Sequence, residues 1–506
     1  MLSSSGAGAT GLPAAIEAAE NGATVIVVDR NFDVGGHAME SGGNLPLGGG
    51  TSLQKKHGIM DSPDRYFSDL ASNPDYRYND RELLRAFAEW SAPTFEWLIA
   101  HGVQFPDQAP RGNPVGRSQA PLWTGGVSAV SPTGAPGTAL MRPLEAAARK
   151  LGVQILLQHS MTGIVREAPF SGRAVGITVT NQGKTITIQA RKGVIIGTGG
   201  HSSNVNFRRM FDPRLTEEYQ VVGDPYSQQT ADGEIAAMKI GAALWGTGNQ
   251  TVERGSAMDK PDLIGNQYGV LRPGNYEGSL ESLTASPIFK NRIRALGLPV
   301  RDYQDVIHVN QVGRRFVNET TPGHPWFNAC LALNGGTSNG GGPIWAIFDA
   351  DAAKRENWVC TPPWVDPDGW FFSGSTLAEL AGRIAGKYQK RPMPAGALAE
   401  TVARYNSFVD AGKDADFGKP SPKYKIQTPP FYAAWSAPVV HDTLAGLRIN
   451  TKSQVVDLQG EVIPALYCGG ESAGGFSMHG LARCIIQGRI AGGEAARSSP
   501  ASSAKA

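Results

Sequence analysis

Cysteine is scarce in this chain. Cys330, Cys360, Cys468 and Cys484 are spread through 506 residues. They are too few for a disulfide scaffold and lack metal-ligand spacing, which fits a reducing, cytoplasmic setting. No run of about 18 apolar residues occurs, so no membrane span is expected. The first residues lack a basic segment followed by an apolar one, so no secretory signal is read there. Charge of one sign is also lacking: Lys and Arg total 47, Asp and Glu total 45, and the net charge is +2. With no basic run, nothing favours a nucleic-acid partner. Glycine, by contrast, is abundant. Its 63 residues cluster in short stretches such as GGGT, GTGG, GGES and SAGG. Such clusters are either ordinary turns or places where backbone approaches a large ligand, because only glycine leaves room and permits positive φ. The chain is too long for a single core, and two domains are expected.

Residues 6–11 read GAGATG. Gly6, Gly8 and Gly11 have the spacing of a phosphate-cradling turn. An Ala-rich helical stretch follows and ends near Gly22, and ATVIVVD then reads as a buried parallel strand. That strand ends in Asp29, with Arg30 after it. Asp29 lies 18 positions beyond Gly11 (29 − 11), near the distance at which an acid meets the ribose hydroxyls of an adenine dinucleotide. The strand expected before the turn is the anomaly, because its four positions hold Leu2, Ser3, Ser4 and Ser5. Three serines at the centre of a sheet each forgo roughly 1.5–3 kcal/mol of burial and leave hydroxyls that need partners. A defective, non-catalytic flavin domain, or a start upstream of Met1, is therefore one reading of the chain.

The next segment, NFDVGGHAMESGGNLPLGGGT, resembles the flavin-wrapping GG-x(5)-GG segment of the fumarate reductase/succinate dehydrogenase flavoprotein and 3-ketosteroid dehydrogenase group. The matching residues are Gly35, Gly36, Ser41, Gly42 and Gly43. Further stretches resemble the same group in order: VIIGTGGHSSN, TADGEIAAMKIGAAL, HVNQVGRRFVNE, GEVIPALYCGGESAGGF and QGRIAG. The resemblance implies FAD as cofactor, held also by Thr198, Gly199, Gly200, Gly470, Glu471, Arg483 and Ile485. It implies that Glu471 meets the ribityl or ribose part of FAD and that the helix after it points its N-terminus at the flavin. It further implies an α/β fold: a Rossmann-like FAD-binding domain, a mixed sheet flanked by helices, with an inserted α+β cap domain. The expected boundaries are 1–249 and 441–506 for the FAD domain and 250–440 for the cap, with substrate where the two meet and a disordered tail from about 498. Helices are expected over 79–102 and in LAETVARYNSFVDAG. Strands are expected around a hairpin turn at 181–183.

His37 lies near the position where the succinate dehydrogenase branch joins histidine covalently to the flavin, but one residue off in spacing. Covalent attachment, a non-covalent flavin contact and a local loop hydrogen bond all remain open. The fumarate reductase arginine of NExxxR is missing, since Gly323 stands there, and so is the HPT histidine. His441 resembles the histidine of HxTxGG; His479, Gly480 and Arg483 resemble HGxNR. His441 and Arg483 are candidates to bind a carbonyl or carboxylate, and His324 is a candidate general acid or base, with Tyr268, Tyr276 and Tyr303 as competitors. Glu471 could instead pair with Arg483. Trp326, Phe327, Trp345, Trp364 and Trp370 either suit an apolar, ring-containing substrate or simply pack. The expected activity is hydride transfer between flavin N5 and a carbon next to a carbonyl of a small cyclic or apolar molecule. An unidentified electron acceptor or donor completes the cycle. The alternative substrate class is an unsaturated carboxylic acid.

Overall fold

The computed structural model describes residues 2–500 except 74–75, 77, 123–136, 213–214, 216–219, 222–226, 247–250, 253–297, 299–301, 321–343, 363–364, 366, 387–388, 390, 437–438, 441, 477 and 479. Two compact units result. The first comprises Met1–Phe211, Tyr226–Val252 and Asp442–Ala506; the second comprises Asp212–Pro225 and Glu253–His441. The segment 212–225 belongs to the second unit, where Gln220–Val221 pairs in parallel with Val439–Val440.

The principal elements run, in chain order, β1 (Leu2–Ser5), α1 (Gly11–Glu20), β2 (Val25–Val28), α2 (Arg81–Ala100), β3 (Gln154–Leu156), β4 (Ser160–Ala168), β5 (Ser171–Asn181), β6 (Lys184–Gln189), β7 (Gly193–Ile196), α3 (Asp232–Met238), β8 (Ile307–Val309), β9 (Trp345–Asp349), β10 (Phe371–Gly374), α4 (Leu377–Arg383), α5 (Ala395–Ala411), β11 (Phe431–Trp435), β12 (Gln454–Val456), β13 (Val462–Cys468) and α6 (Leu481–Arg497).

The fold is mixed α/β with a parallel-rich sheet. In the first unit six strands take the order β12-β13-β7-β1-β2-β3, and only the β12–β13 pairing is antiparallel. Apolar runs such as VIVV in β2 and GVII in β7 suit strands covered on both faces. The serine-rich stretch nevertheless forms the central strand β1. Its backbone pairs Leu2 with Val25 and Gly193, and Ser5 with Val28 and Ile196. Ser3, Ser4 and Ser5 are fully buried, and among the described residues their hydroxyls meet no hydrogen-bond partner. Strand formation here draws on main-chain hydrogen bonds and on Leu2, and the serines cost stability.

α6 is buried almost all round and lies against α1. A Cβ at Gly488 would fall 2.3 Å from Thr10 O, and one at Gly492 would fall 2.2 Å from Ala14 O. These glycines permit backbone-to-backbone approach of the two helices. Arg489 links α6 to α1 through Glu17 at 2.9 Å and reaches α2, its guanidinium 4.8 Å from the Trp97 ring. A separate antiparallel sheet, β4-β5-β6, turns between β5 and β6 at Gln182 and Gly183. Their φ values of 47° and 78° are those a tight two-residue hairpin needs.

The second unit holds an antiparallel sheet in the order β8-β9-β11-β10. Alternation along β9 sends Trp345 and Ile347 into one core with Leu380 of α4 and Leu398 and Val402 of α5. Ala346 and Phe348 enter another core, with Trp358 and Phe371. Trp345 and Trp370 are thus packing residues, each edge-on to Trp435. In β10, Phe371 and Phe372 pair with Ala434 and Ala433 of β11. The VNxxGxRFxNE-like stretch supplies a buried ionic cluster. Arg315 binds both oxygens of Glu319 at 2.9 Å and Asp414 at 2.9 Å, and Lys419 lies 3.4 Å from Glu319. Burial raises the Glu319 carboxyl, but Lys419 and Arg315 outweigh it and the net displacement is downward.

Candidate functional site

The glycine-rich turn connects β1 to α1. Gly6 has φ +98°, and a Cβ there would fall 2.0 Å from Gly197 O; one at Gly11 would fall 1.6 Å from Gly6 O. The protein's own packing therefore demands both glycines. Gly8 is different. A Cβ there would meet only Gly35 O, at 3.7 Å, so no protein atom requires glycine at this position. The second glycine-rich loop is laid alongside, with Gly35 N donating to Ala7 O at 2.9 Å. Thr10, at the start of α1, makes no side-chain cap. The first amides of α1 and the helix dipole are those a phosphate would use.

Asp29 is placed at the end of β2, as its spacing suggests, but its oxygens already serve the protein. One accepts from Ala7 N at 2.7 Å and the other from Asn31 N at 2.8 Å. Desolvation pushes its carboxyl above the usual range. Asp29 thus braces the turn. Arg30 is exposed and reaches Thr230 Oγ1 at 2.5 Å and Asp232 Oδ2 at 3.4 Å.

A short 3-10 turn, Gly36–Glu40, carries His37. Ser41 closes it, donating from Oγ to Ala38 O at 2.8 Å and accepting from Gly43 N at 3.1 Å. A Cβ at Gly42 would meet nothing within 4 Å. His37 Nδ1 lies 3.1 Å from Gln229 Nε2 and 3.6 Å from Glu471 Oε1. Gln229 Nε2 also donates to Glu471 Oε2, and Gln229 Oε1 accepts from Ser202 Oγ. Glu471 stands in the short turn Gly470–Ser472. That turn is stapled to the Thr198–Gly200 loop: Thr198 Oγ1 is 3.1 Å from Ser472 Oγ, and Ser472 Oγ donates to Gly199 O. Thr443 Oγ1 donates to Glu471 O at 2.9 Å, and only glycine fits at position 200, where a Cβ would fall 1.8 Å from Thr443 Oγ1. Sequence reasoning missed Gln229. Its place just before TADG was the signal the sequence offered.

Arg483, in the first turn of α6, is only 1% exposed. Its Nη1 donates to Phe476 O at 2.6 Å and its Nη2 to Thr443 O at 3.1 Å, while Nε has no acceptor. The guanidinium is thus held by backbone carbonyls. Ile485 is buried one turn beyond the start of the same helix. His441, His324 and His479 lie outside the described residues, as do Tyr268, Tyr276, Gly323, Trp326, Phe327 and Trp364.

A family profile described as FAD binding domain, FAD_binding_2, matches residues 5–253 and 280–484. The chain belongs to this family. It is an FAD-dependent oxidoreductase, and the cradle fits that cofactor: Gly8 and Gly42 lack a side chain where no protein atom forbids one, next to an α1 start that no side chain caps. The chain is similar to a probable fumarate reductase of Shewanella frigidimarina, at 28% identity over 97% of this chain and 74% of the relative. It is also similar to a 3-oxosteroid 1-dehydrogenase of Mycolicibacterium smegmatis, at 27% identity over 92% of this chain and 90% of the relative. Among solved structures, the open conformation of a flavocytochrome c3 fumarate reductase superposes with a TM-score of 0.70, at 26% identity, covering 98% of this chain and 78% of that one. Both C=C reduction and dehydrogenation fit this kinship. Among the described residues no helix is long and apolar enough to cross a membrane.

Proposed function

We propose that the protein moves hydride between bound FAD and a carbon adjacent to a carbonyl, in a small cyclic or apolar substrate. Bound FAD supplies hydride exchange at N5. The chain's part is to hold the cofactor and handle the neighbouring proton. Gly6, Gly8, Gly11 and the start of α1 cradle the pyrophosphate; Gly36, Ser41, Gly42, Gly43, Thr198, Gly199, Gly200, Gly470 and Glu471 line the remainder. The second unit serves as an inserted cap. From it His441 polarises the substrate carbonyl and His324 gives or takes the proton, with His479 assisting. The partner is an unidentified electron acceptor or donor, and the setting is cytoplasmic.

The observation that carries this reading is Arg483. Its guanidinium is buried, and Nη1 and Nη2 already donate to Phe476 O and Thr443 O, which counts against its gripping a substrate carboxylate. With Gly323 in place of an arginine, this favours a neutral carbonyl substrate. A second reading, reduction of an unsaturated carboxylic acid, is supported by the kinship to fumarate reductases. Anaerobic turnover with reduced viologen separates them. Oxidation of the dye on adding 2-cyclohexenone, but not fumarate or acrylate, is expected; turnover of the acids alone would reverse the choice. Colourless protein that takes up no added FAD would leave the non-catalytic reading, which the partnerless hydroxyls of Ser3, Ser4 and Ser5 support.

A further inference from the structure

Gln229 joins three side chains that the sequence keeps far apart. It is 192 residues from His37 and 242 from Glu471. It is 2% exposed, so its amide cannot turn to water for partners. Its orientation follows from chemistry. The amide nitrogen, not the oxygen, faces Glu471 Oε2, an oxygen that accepts. Ser202 Oγ–H then donates to the amide oxygen. One N–H of the amide is directed at Glu471 Oε2, and the other at His37 Nδ1, 3.1 Å away. A donor facing Nδ1 requires a lone pair there, so the ring proton belongs on Nε2. The opposite tautomer would set Nδ1–H against N–H at that distance. Glu471 Oε1, at 3.6 Å from Nδ1, lies beyond direct hydrogen-bonding reach.

We propose that Gln229 is a positioning residue that fixes His37 as the Nε2–H tautomer, so that His37 is not the covalent anchor of the cofactor. A nitrogen that carries its proton has no lone pair with which to bond carbon. Nδ1, which has one, is occupied by Gln229. The proposal rests on the FAD reading only for its consequence; the tautomer itself is a property of the chain.

Ring-15N-histidine protein tests it, with the His37 signals assigned by their loss in His37→Gln. In long-range 1H–15N spectra at neutral pH, Nδ1 is expected in the unprotonated range and Nε2 in the protonated range. Gln229→Glu, which presents an acceptor to Nδ1, should move the proton to Nδ1. Gln229→Met, which presents neither donor nor acceptor, should give a mixture of tautomers. A wild-type Nδ1–H signal, or a wild-type pattern retained in both variants, would overturn the proposal. Acid precipitation of the yellow holoenzyme gives an independent readout. Flavin is expected in the supernatant, and flavin in the pellet that His37→Gln releases would overturn it. If no flavin binds at all, the FAD reading fails while the 15N spectra still decide the tautomer.

Discussion

His201 Nδ1 and Glu234 Oε1 lie 3.4 Å apart inside the first unit, with neither side chain exposed. His201 stacks on Phe211, centroids 5.0 Å apart. His201 Nε2 and Glu234 Oε2 have no partner. Desolvation, reinforced by Arg208, pushes His201 down to about 3. Desolvation, reinforced by Asp232 and Glu471, pushes Glu234 well above the usual range. His201 is therefore neutral near pH 7, and Glu234 holds its proton to higher pH than a free carboxyl does.

Opposite pH dependences follow. The unfolded chain protonates His201 below about 6.5 while the folded chain resists until about 3, so this group removes stability as pH falls through that window. Glu234 in the folded chain keeps a proton that the unfolded chain loses above its ordinary value of 4.5, so it removes stability as pH rises from there. In urea titrations, His201→Phe should gain on wild type as pH drops from about 7 to 5, by up to about 1.4 kcal/mol per unit. Glu234→Gln should gain as pH rises. Profiles parallel to wild type would refute both assignments.

The serines of β1 offer a simpler test. Each buried, partnerless hydroxyl costs about 1–3 kcal/mol. Ser3→Ala, Ser4→Ala and Ser5→Ala should each raise the urea midpoint, by about 1 kcal/mol or more. A loss of stability would mean that the hydroxyls have partners in solution.

Gly8 and Gly11 should behave differently. Gly11→Ala places a Cβ 1.6 Å from Gly6 O and should abolish folding of the turn. Gly8→Ala meets only an oxygen at 3.7 Å and should leave the unfolding free energy of the flavin-free protein within about 0.5 kcal/mol of wild type. Its FAD affinity, measured by flavin fluorescence quenching, should fall at least tenfold. Unchanged affinity would mean the pyrophosphate does not approach Gly8.

In the second unit, Glu319→Gln should destabilise by about 3–5 kcal/mol, because it leaves Lys419 buried without its carboxylate and Arg315 with Asp414 alone. Lowering the pH acts in the same direction: Glu319 has a depressed carboxyl, so its stabilisation is present above pH 4.5 and disappears as pH falls through the folded value. A thermal melt at pH 7 checks the variant; a loss under about 1 kcal/mol would place the cluster in contact with solvent.

Periodicity and spacing alone made much of the first unit legible. The Val- and Ile-rich runs are β2 and β7, and the positive-φ turn at 182–183 follows from Gly183. The helix expected over 79–102 is α2, which continues through Pro93. Local chemistry specifies each of these, since burial on both faces selects continuous apolar strands and glycine selects left-handed turns. The role of the NE stretch as a buried ionic cluster was not legible, because Arg315, Glu319, Asp414 and Lys419 meet only when separate segments pack.

The sequence by itself determined that a phosphate-cradling turn exists, that glycine-rich loops follow it in the order of an FAD-binding family, and which residues could carry charge near them. Tertiary structure decided three further matters. It made Leu2–Ser5 the central strand, because main-chain hydrogen bonds to β2 and β7 do not depend on what the side chains are. It turned Asp29 and Arg483 toward the protein's own backbone. It also joined His37 to Glu471 through Gln229, because the direction of a hydrogen bond is set by the approach of atoms in space and leaves no period or spacing in the chain.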